Sequence, residues 1–244
     1  MSSETLTQSD FDARRADGKL SLTFIGMSNA GKSHWSGRLA HEAGFERVDI
    51  DTLIELELGA ELERAGYNGG IQDVAKWMGQ PYEPQSPANQ LRYLDLEATM
   101  MERTIDRLAD PSLDRNMVVD TTGSIVHTDP AIGTRLREHS TVIYLEATAS
   151  MRQKMFEMYI AEPKPVIWGD VYTQAEGETR QQALARSYLE LLEHRSKLYK
   201  DMAQVTVSRE VSLAITSTDE FLEYIRDKLP TAYVSSASYP SSQV

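Results

Sequence analysis

Gly26-Met27-Ser28-Asn29-Ala30-Gly31-Lys32-Ser33 follows the apolar run Leu20-Ser21-Leu22-Thr23-Phe24-Ile25. The stretch fits G-x-x-x-x-G-K-[ST], in which glycines let backbone N–H groups curl around phosphates, Lys reaches their outer oxygens and Ser holds Mg²⁺. The β-branched and aromatic run before it reads as a buried strand, and residues 32–43 after it read as a helix. A loop between a strand and a helix N-terminus meets anions with free N–H groups and the positive end of the helix dipole. An ordinary Gly-containing turn is the alternative, and the strand–loop–helix context argues against it. Gly26, Asn29, Ala30, Gly31, Lys32, Ser33 and His34 are therefore expected to contact a nucleotide.

The chain of 244 residues is long enough for one large α/β domain, and its 41% hydrophobic content suits a globular core. No apolar run approaches the roughly 20 residues that a membrane helix needs. The polar, acidic first residues resemble neither a secretory signal nor a transit peptide, so a cytoplasmic location is expected. Cysteine is absent, which excludes disulfides and thiolate sites. The net charge of −12 repels nucleic-acid backbones and anionic membranes, so neither is expected as a partner. An anion site must then be local, built from a few Lys and Arg in a cleft, and a small anionic acceptor is expected. The protein is expected to act as a monomer.

Outward from the loop, Gly44 ends the first helix and Phe45-Glu46-Arg47-Val48-Asp49 enters a second strand. Asp51 is expected to cap a helix reaching Leu58, with Gly59 closing it. Asp49 and Asp51 thus stand at the carboxyl end of a strand, the ligand edge of an open α/β sheet. Residues 70–79 have apolar side chains at helical spacing, and three prolines between Gln80 and Pro87 break the pattern. A long helix over 88–108 carries Arg92 near its start, where spacing alone points to a solvated face or an exposed ion pair. Residues 116–120 form an apolar strand ending in Asp120, which either completes Mg²⁺ coordination through water or caps the turn Thr121-Thr122-Gly123-Ser124.

Further strands are expected at 141–145 and 205–207, with helices over 149–160, 180–203 and 219–229. The irregular stretch 161–179, with Pro163, Pro165, Gly169 and Gly177, reads as a lid or a disordered insertion. Alternating strands and helices predict a three-layer α/β/α fold with a five-stranded parallel sheet. One domain over 20–230 is expected, preceded by a mobile arm or loosely attached helix at 1–19 and followed by a Ser-rich tail at 231–244.

From Ser21 to Leu229 the order of these features resembles the shikimate kinase family, small P-loop kinases related to the nucleoside-monophosphate kinases. The segment Phe45-x-x-Val48-Asp49-Ile50-Asp51-x-x-Ile54-Glu55-x-x-x-Gly59 resembles the family's Asp-x-Asp strand. The resemblance implies that Asp49 contacts Mg²⁺ through water and that Asp51 binds substrate hydroxyls and serves as base. Leu91-Arg92-Tyr93-Leu94-Asp95 resembles the Phe-Arg-x-x-Glu segment, implying that Arg92 grips a substrate carboxylate. The segment from Arg195 through Tyr199 to Ala203 resembles the helix whose Arg is the second clamp, and Lys164-Pro165-Val166-Ile167 resembles the family's Arg-Pro-Leu-Leu lid motif.

The resemblance therefore implies ATP- and Mg²⁺-dependent phosphoryl transfer to a hydroxyl of a small carboxylate such as shikimate. Lys32, Asp51 and Lys164 would be catalytic, and Asp51, Arg92, Gly123 and Arg195 would hold the acceptor. Ser33, Asp49 and Asp120 would serve the metal. The chain departs from the family where a Thr-Gly-Gly-Gly turn is replaced by Thr121-Thr122-Gly123-Ser124, which adds side chains where the acceptor ring would sit. It also has Lys164 for the lid Arg. Alternatives are a kinase of another metabolite, such as a gluconate-like sugar acid, and a non-catalytic nucleotide- or metabolite-binding relative.

Overall fold

Five short strands, β1 Ser21–Ile25, β2 Glu46–Asp49, β3 Met117–Asp120, β4 Thr141–Leu145 and β5 Val205–Val207, form one parallel sheet in the order β2-β3-β1-β4-β5. The structure, a computed structural model, describes residues 6–231. Every residue of β1, β3 and β4 is buried, as expected of strands covered on both faces by crossover helices. The helices are α1 Gln8–Ala16, α2 Lys32–Ala43, α3 Ile50–Arg64, α4 Ile71–Met78 and α5 Ser86–Leu108. They continue as α6 Pro130–His139, α7 Ala149–Ala161, α8 Arg180–Met202, α9 Arg209–Ala214 and α10 Thr218–Asp227.

Strand side chains alternate between two cores. Leu22, Phe24, Val118 and Ile143 face one side, where they meet Phe11 of α1, Trp35 and Leu39 of α2, and Phe221 of α10. Ile25, Val119, Val142 and Tyr144 face the other, packed under α3, α5, α7 and α8. The three-layer α/β/α expectation is met, and the parallel strands direct all their carboxyl ends to one edge of the sheet.

Three readings change. The segment expected as a mobile arm or a loosely attached helix contains α1, which docks on the domain. Phe11 is 1% exposed, Gln8 donates its backbone N–H to Pro230 O at 2.9 Å, and Asn116 Nδ2 donates to Arg15 O at 3.0 Å. One large apolar side chain within the helix, Phe11, leaves no visible period, although the Thr7–Asp10 capping box marks the start of the helix. Residues 1–5, and the expected Ser-rich tail from 232 onward, lie outside the described residues.

Helix α3 is capped by Asp49, whose side chain accepts from the Thr52 backbone N–H at 3.1 Å, and it runs through Gly59 to Arg64. A glycine inside a helix costs about 1 kcal/mol relative to Ala. Ile54, Leu58 and Leu62 are buried at one-turn spacing, and full burial of each contributes about 1.5–3 kcal/mol. Burial decides, and the helix continues. Finally, α6 and α9 were not read from sequence, although Asp129 before Pro130 is a helix-start signal.

Candidate active site

The phosphate loop turns at two residues with left-handed backbone, Asn29 (φ 65°) and Gly31 (φ 107°), the second being the position before α2. No side chain caps the start of α2, which leaves its first N–H groups free for an anion. Gly26 packs where β1 passes β4. A Cβ there would lie 2.7 Å from Leu145 O, so no other residue fits. Lys32 is 6% exposed and donates from Nζ to Gly26 O at 2.8 Å and Met27 O at 3.1 Å. Its burial lowers its pKa, and the charges of Asp120 and Asp51 oppose that shift. The result is a desolvated cation tethered to the loop's own carbonyls, beside the first N–H groups of α2.

A cleft of about 490 Å³ opens in front of this loop, within the range of small-molecule sites. Ser28, Asn29, Gly31, Lys32, Ser33 and His34 line one part of it, with Arg209, Ser212 and Leu213 of α9 beside them. Gly26 and Ala30 do not line it; they hold the loop in place. Asp51, Ile71, Tyr93 and the turn Thr122-Gly123-Ser124 line the other part. Lys164 and Pro165, from the stretch expected as a lid, border both. Lys164 Nζ reaches across to Asn29 Oδ1 at 3.1 Å. That stretch is anchored beyond these residues, where Trp168 is 1% exposed and its backbone N–H donates to Gln90 Oε1 at 2.6 Å.

Asp51 sits in the first turn of α3 and accepts from Tyr93 OH at 2.9 Å. Enclosure raises its pKa, while the Lys32 charge and the Tyr93 hydrogen bond pull it down. Because Asp49 takes the capping task, the Asp51 carboxylate is left for the cleft. Behind the turn lies Glu97, fully buried, which accepts from Thr122 Oγ1 and from Ser124 Oγ, the latter at 2.5 Å. Loss of water lifts its pKa to about 7 against the pull of those two hydroxyls.

The two arginines expected to clamp a carboxylate behave differently. Arg92 turns away from the cleft and pairs with Glu61 at 2.9 Å and Asp95 at 3.3 Å, with 41% of its side chain exposed. Successive helical residues are about 100° apart, and on α5 it is the Gln90–Tyr93–Glu97 face that turns inward. The exposed ion pair that spacing alone suggested is what forms. Arg195 is buried at 6% exposure, with Nη1 beside Gly123 of the turn after β3 but not lining the cleft. Its Nε donates to His127 Nε2 at 3.0 Å and its Nη2 to Ile167 O at 2.6 Å. Burial and the Arg195 charge hold the His127 pKa down near 3, which keeps its Nε2 a lone-pair acceptor.

The acids expected near the metal also find other partners. Asp49 and Asp120 lie opposite each other on β2 and β3, and Arg47 Nη2 bridges them at 2.5 and 2.7 Å. Asp120 accepts in addition from Ser36 Oγ at 3.1 Å, and neither acid lines the cleft. Two carboxylates side by side on a buried sheet edge need a cation between them, and Arg47 supplies it. Among the described residues no group of three or more His, Asp or Glu could hold a metal. Mg²⁺ usually arrives with the nucleotide, keeping several waters and few protein ligands. Ser33 on the cleft wall fits that manner of binding, whereas Asp49 and Asp120 would have to act from behind Arg47.

Sequence reasoning missed Tyr93, Glu97, Arg47 and the α9 wall. A buried acid recurring with Tyr93 at i,i+4 on an otherwise apolar helix face was the available signal for the first two. The others depend on long-range contacts that no local pattern encodes.

The phosphate loop, the parallel sheet with order β2-β3-β1-β4-β5 and the helices on both faces define a P-loop kinase fold. The chain is similar to shikimate kinases over most of its length. It is 26% identical over 208 residues to the shikimate kinase of Persephonella marina, covering 84% of this chain and 98% of that one. It is also 26% identical over 206 residues to that of Chlorobaculum tepidum, covering 83% and 91%. Among solved structures, shikimate kinase from Acinetobacter baumannii in complex with shikimate superposes with a TM-score of 0.55 at 18% identity, covering 87% of this chain and 97% of that one. No family model matches the chain. No helix among the described residues is long and apolar enough to cross a membrane.

Proposed function

We propose that this protein is an ATP- and Mg²⁺-dependent kinase that phosphorylates a hydroxyl of a small metabolite, with residues 20–230 as the catalytic domain and the stretch at 161–179 as its lid. The observation that carries this reading is the juxtaposition, in one cleft, of Lys32 and the open start of α2 with Asp51 at the neighbouring strand end. Phosphoryl transfer asks little covalent chemistry of a protein; rate comes from alignment and from neutralising charge on the transferred group. The bond between the γ-phosphorus and the bridging oxygen breaks, the acceptor oxygen bonds to phosphorus, and the acceptor proton passes to the Asp51 carboxylate. The raised Asp51 pKa brings it closer to that task, and Tyr93 OH fixes its rotamer.

Lys32 and Lys164 would neutralise the phosphates from two sides, and Ser33 would hold the Mg²⁺ that arrives with ATP. Bound there, the ion supplies charge to the transferred oxygens. Arg209, beside Gly31, extends the positive wall on the nucleotide side. Pro165 and Lys164 over the cleft would keep water from intercepting the phosphoryl group. Shikimate, named by the relatives, is the first acceptor to assay, although only Arg195 of the two expected clamps stands near the turn.

The reading is tested by incubating purified protein with ATP, Mg²⁺ and a panel of small hydroxylated compounds. The expected result is acceptor-dependent ADP release with a phosphorylated product in the mass spectrum. ATP binding without ADP release for any acceptor would instead favour a nucleotide-binding protein without turnover.

A further inference from the structure

Resting on the kinase reading above, the manner in which Mg²⁺ is held follows from what surrounds the two acids at the sheet edge. Arg47 and Asp49 stand two residues apart on β2 and so share a face, and Asp49 is in register with Asp120 on β3. Neighbouring strands lie about 4.8 Å apart, so the backbone holds the two carboxylates side by side. Val118, opposite Arg47, faces the core beneath α2. The acids face the same helix, and its Ser36 Oγ donates to Asp120 Oδ2 at 3.1 Å.

A single nitrogen, Arg47 Nη2, reaches both acids, Asp49 Oδ2 at 2.5 Å and Asp120 Oδ2 at 2.7 Å. One positive centre in contact with an oxygen of each carboxylate is the arrangement a shared metal ion would otherwise supply. With the Thr52 N–H on Asp49 Oδ1, three of the four carboxylate oxygens have a partner. The Asp120 side chain is only 5% exposed, and an enclosed carboxylate that loses its cation is left as a bare charge. Arg47 Nε is buried among the described residues, so the stem is enclosed as well as the charge engaged. Ser33 lines the cleft, whereas neither acid does. Mg²⁺ dehydrates reluctantly and takes oxygens in near-octahedral array. To reach Asp49 or Asp120 it would have to expel Arg47, an exchange that the Ser33 hydroxyl and the phosphates do not require.

We propose that Arg47 is the resident counter-cation of Asp49 and Asp120, standing where a metal ion would bridge them, and that this kinase therefore takes Mg²⁺ only with the nucleotide, through Ser33. The two acids then have structural tasks. Asp49 caps α3, the helix that presents Asp51, and Asp120 ties β3 to α2 through Ser36. Asp120 also supports the protonated form of Lys32 more than any other neighbour does. A second metal-like charge on Asp120 would oppose the lysine that meets the phosphates, and Arg47 keeps that place filled at a fixed charge of one.

The test needs no turnover. Mn²⁺, which shares the preference of Mg²⁺ for oxygen ligands, is titrated into the nucleotide-free protein, and binding is read as loss of the free-ion electron paramagnetic resonance signal. Arg47→Met keeps most of the stem and removes the charge. It is expected to bind one Mn²⁺ at least about 10-fold more tightly than the wild type does, the scale on which neighbours of a metal site set its affinity. Weak binding by the acidic surface is common to both proteins and cancels in the comparison. Equal binding by the two proteins overturns the proposal.

A second variant keeps the question open to refutation should Arg47→Met fail to fold. Asp49→Asn retains the start of α3, since Asn caps a helix as well as Asp. It is expected to leave the affinity for the Mn²⁺–ATP complex unchanged, and a loss of about 10-fold or more would put Asp49 on the metal and overturn the proposal. Absence of ATP binding by the wild type would break the kinase reading instead, and the role of Arg47 would still be decided by the nucleotide-free comparison.

Discussion

The nucleotide half of the cleft is made mainly from one short stretch, the loop Gly26 to Ser33 and the first turn of the helix it opens, with α9 beside it, whereas the acceptor half is drawn from α3, α5 and the turn after β3. In the first, the backbone offers most of the donors, so the glycines and one Lys go far to specify it. In the second, side chains form the wall, and each is held by a partner: Asp51 by Tyr93, Thr122 and Ser124 by Glu97. A site built from backbone tolerates changes in the rest of the chain. One built from paired side chains changes ligand when a single partner changes, which is how a shared nucleotide half serves many acceptors.

The largest effect should come from Lys32→Ala. Loss of the one buried cation on the loop is expected to lower turnover by about 10³-fold or more, with the melting temperature little changed. Unchanged ADP release would dissolve the contrast between the halves, because the loop would then not be the phosphate site. Next, Asp51→Asn keeps the shape and the Tyr93 contact but removes the proton acceptor. It should cut kcat by about 10²- to 10³-fold while ATP still protects the protein against heat. If ATP protection disappears as well, the two halves are not separable. The smallest effect belongs to Arg92→Ala, whose partners Glu61 and Asp95 are surface acids. Both KM values should stay within about 2-fold and stability within about 1 kcal/mol, as for an exposed ion pair. A large rise in acceptor KM would instead bring Arg92 into the acceptor half.

The same contrast explains what could be read from residues in advance. The loop, the flanking strand and helix, and the five-strand parallel sheet follow from local spacing, and their boundaries lie within about two residues of the expected ones. Asp51 and the Thr-Gly-Ser turn were legible because they follow strand ends. Arg92 was not, because a short motif match ignores helical phase: one residue along the helix, about 100°, separates a cleft residue from a solvated one. Asp49 and Asp120 looked like metal-linked acids because their neighbour in space, Arg47, is near Asp49 in sequence but on no recognised pattern. The docking of α1 through Phe11 was hidden for a different reason, since a single buried aromatic produces no period.

Trp35 and Trp168 are divided between the halves as well. Trp35 stacks on Phe221 at 3.9 Å and donates its indole N–H to Ser212 Oγ at 2.9 Å, a residue on the nucleotide wall. Trp168 lies edge-on to Tyr159 and Tyr172, at the root of the segment that carries Lys164. The chain thus has an optical reporter built into each side. Emission from one would register nucleotide occupancy and emission from the other movement of the covering segment, and replacing the third indole, Trp77, together with either of these by Phe would leave a readout of the remaining event alone.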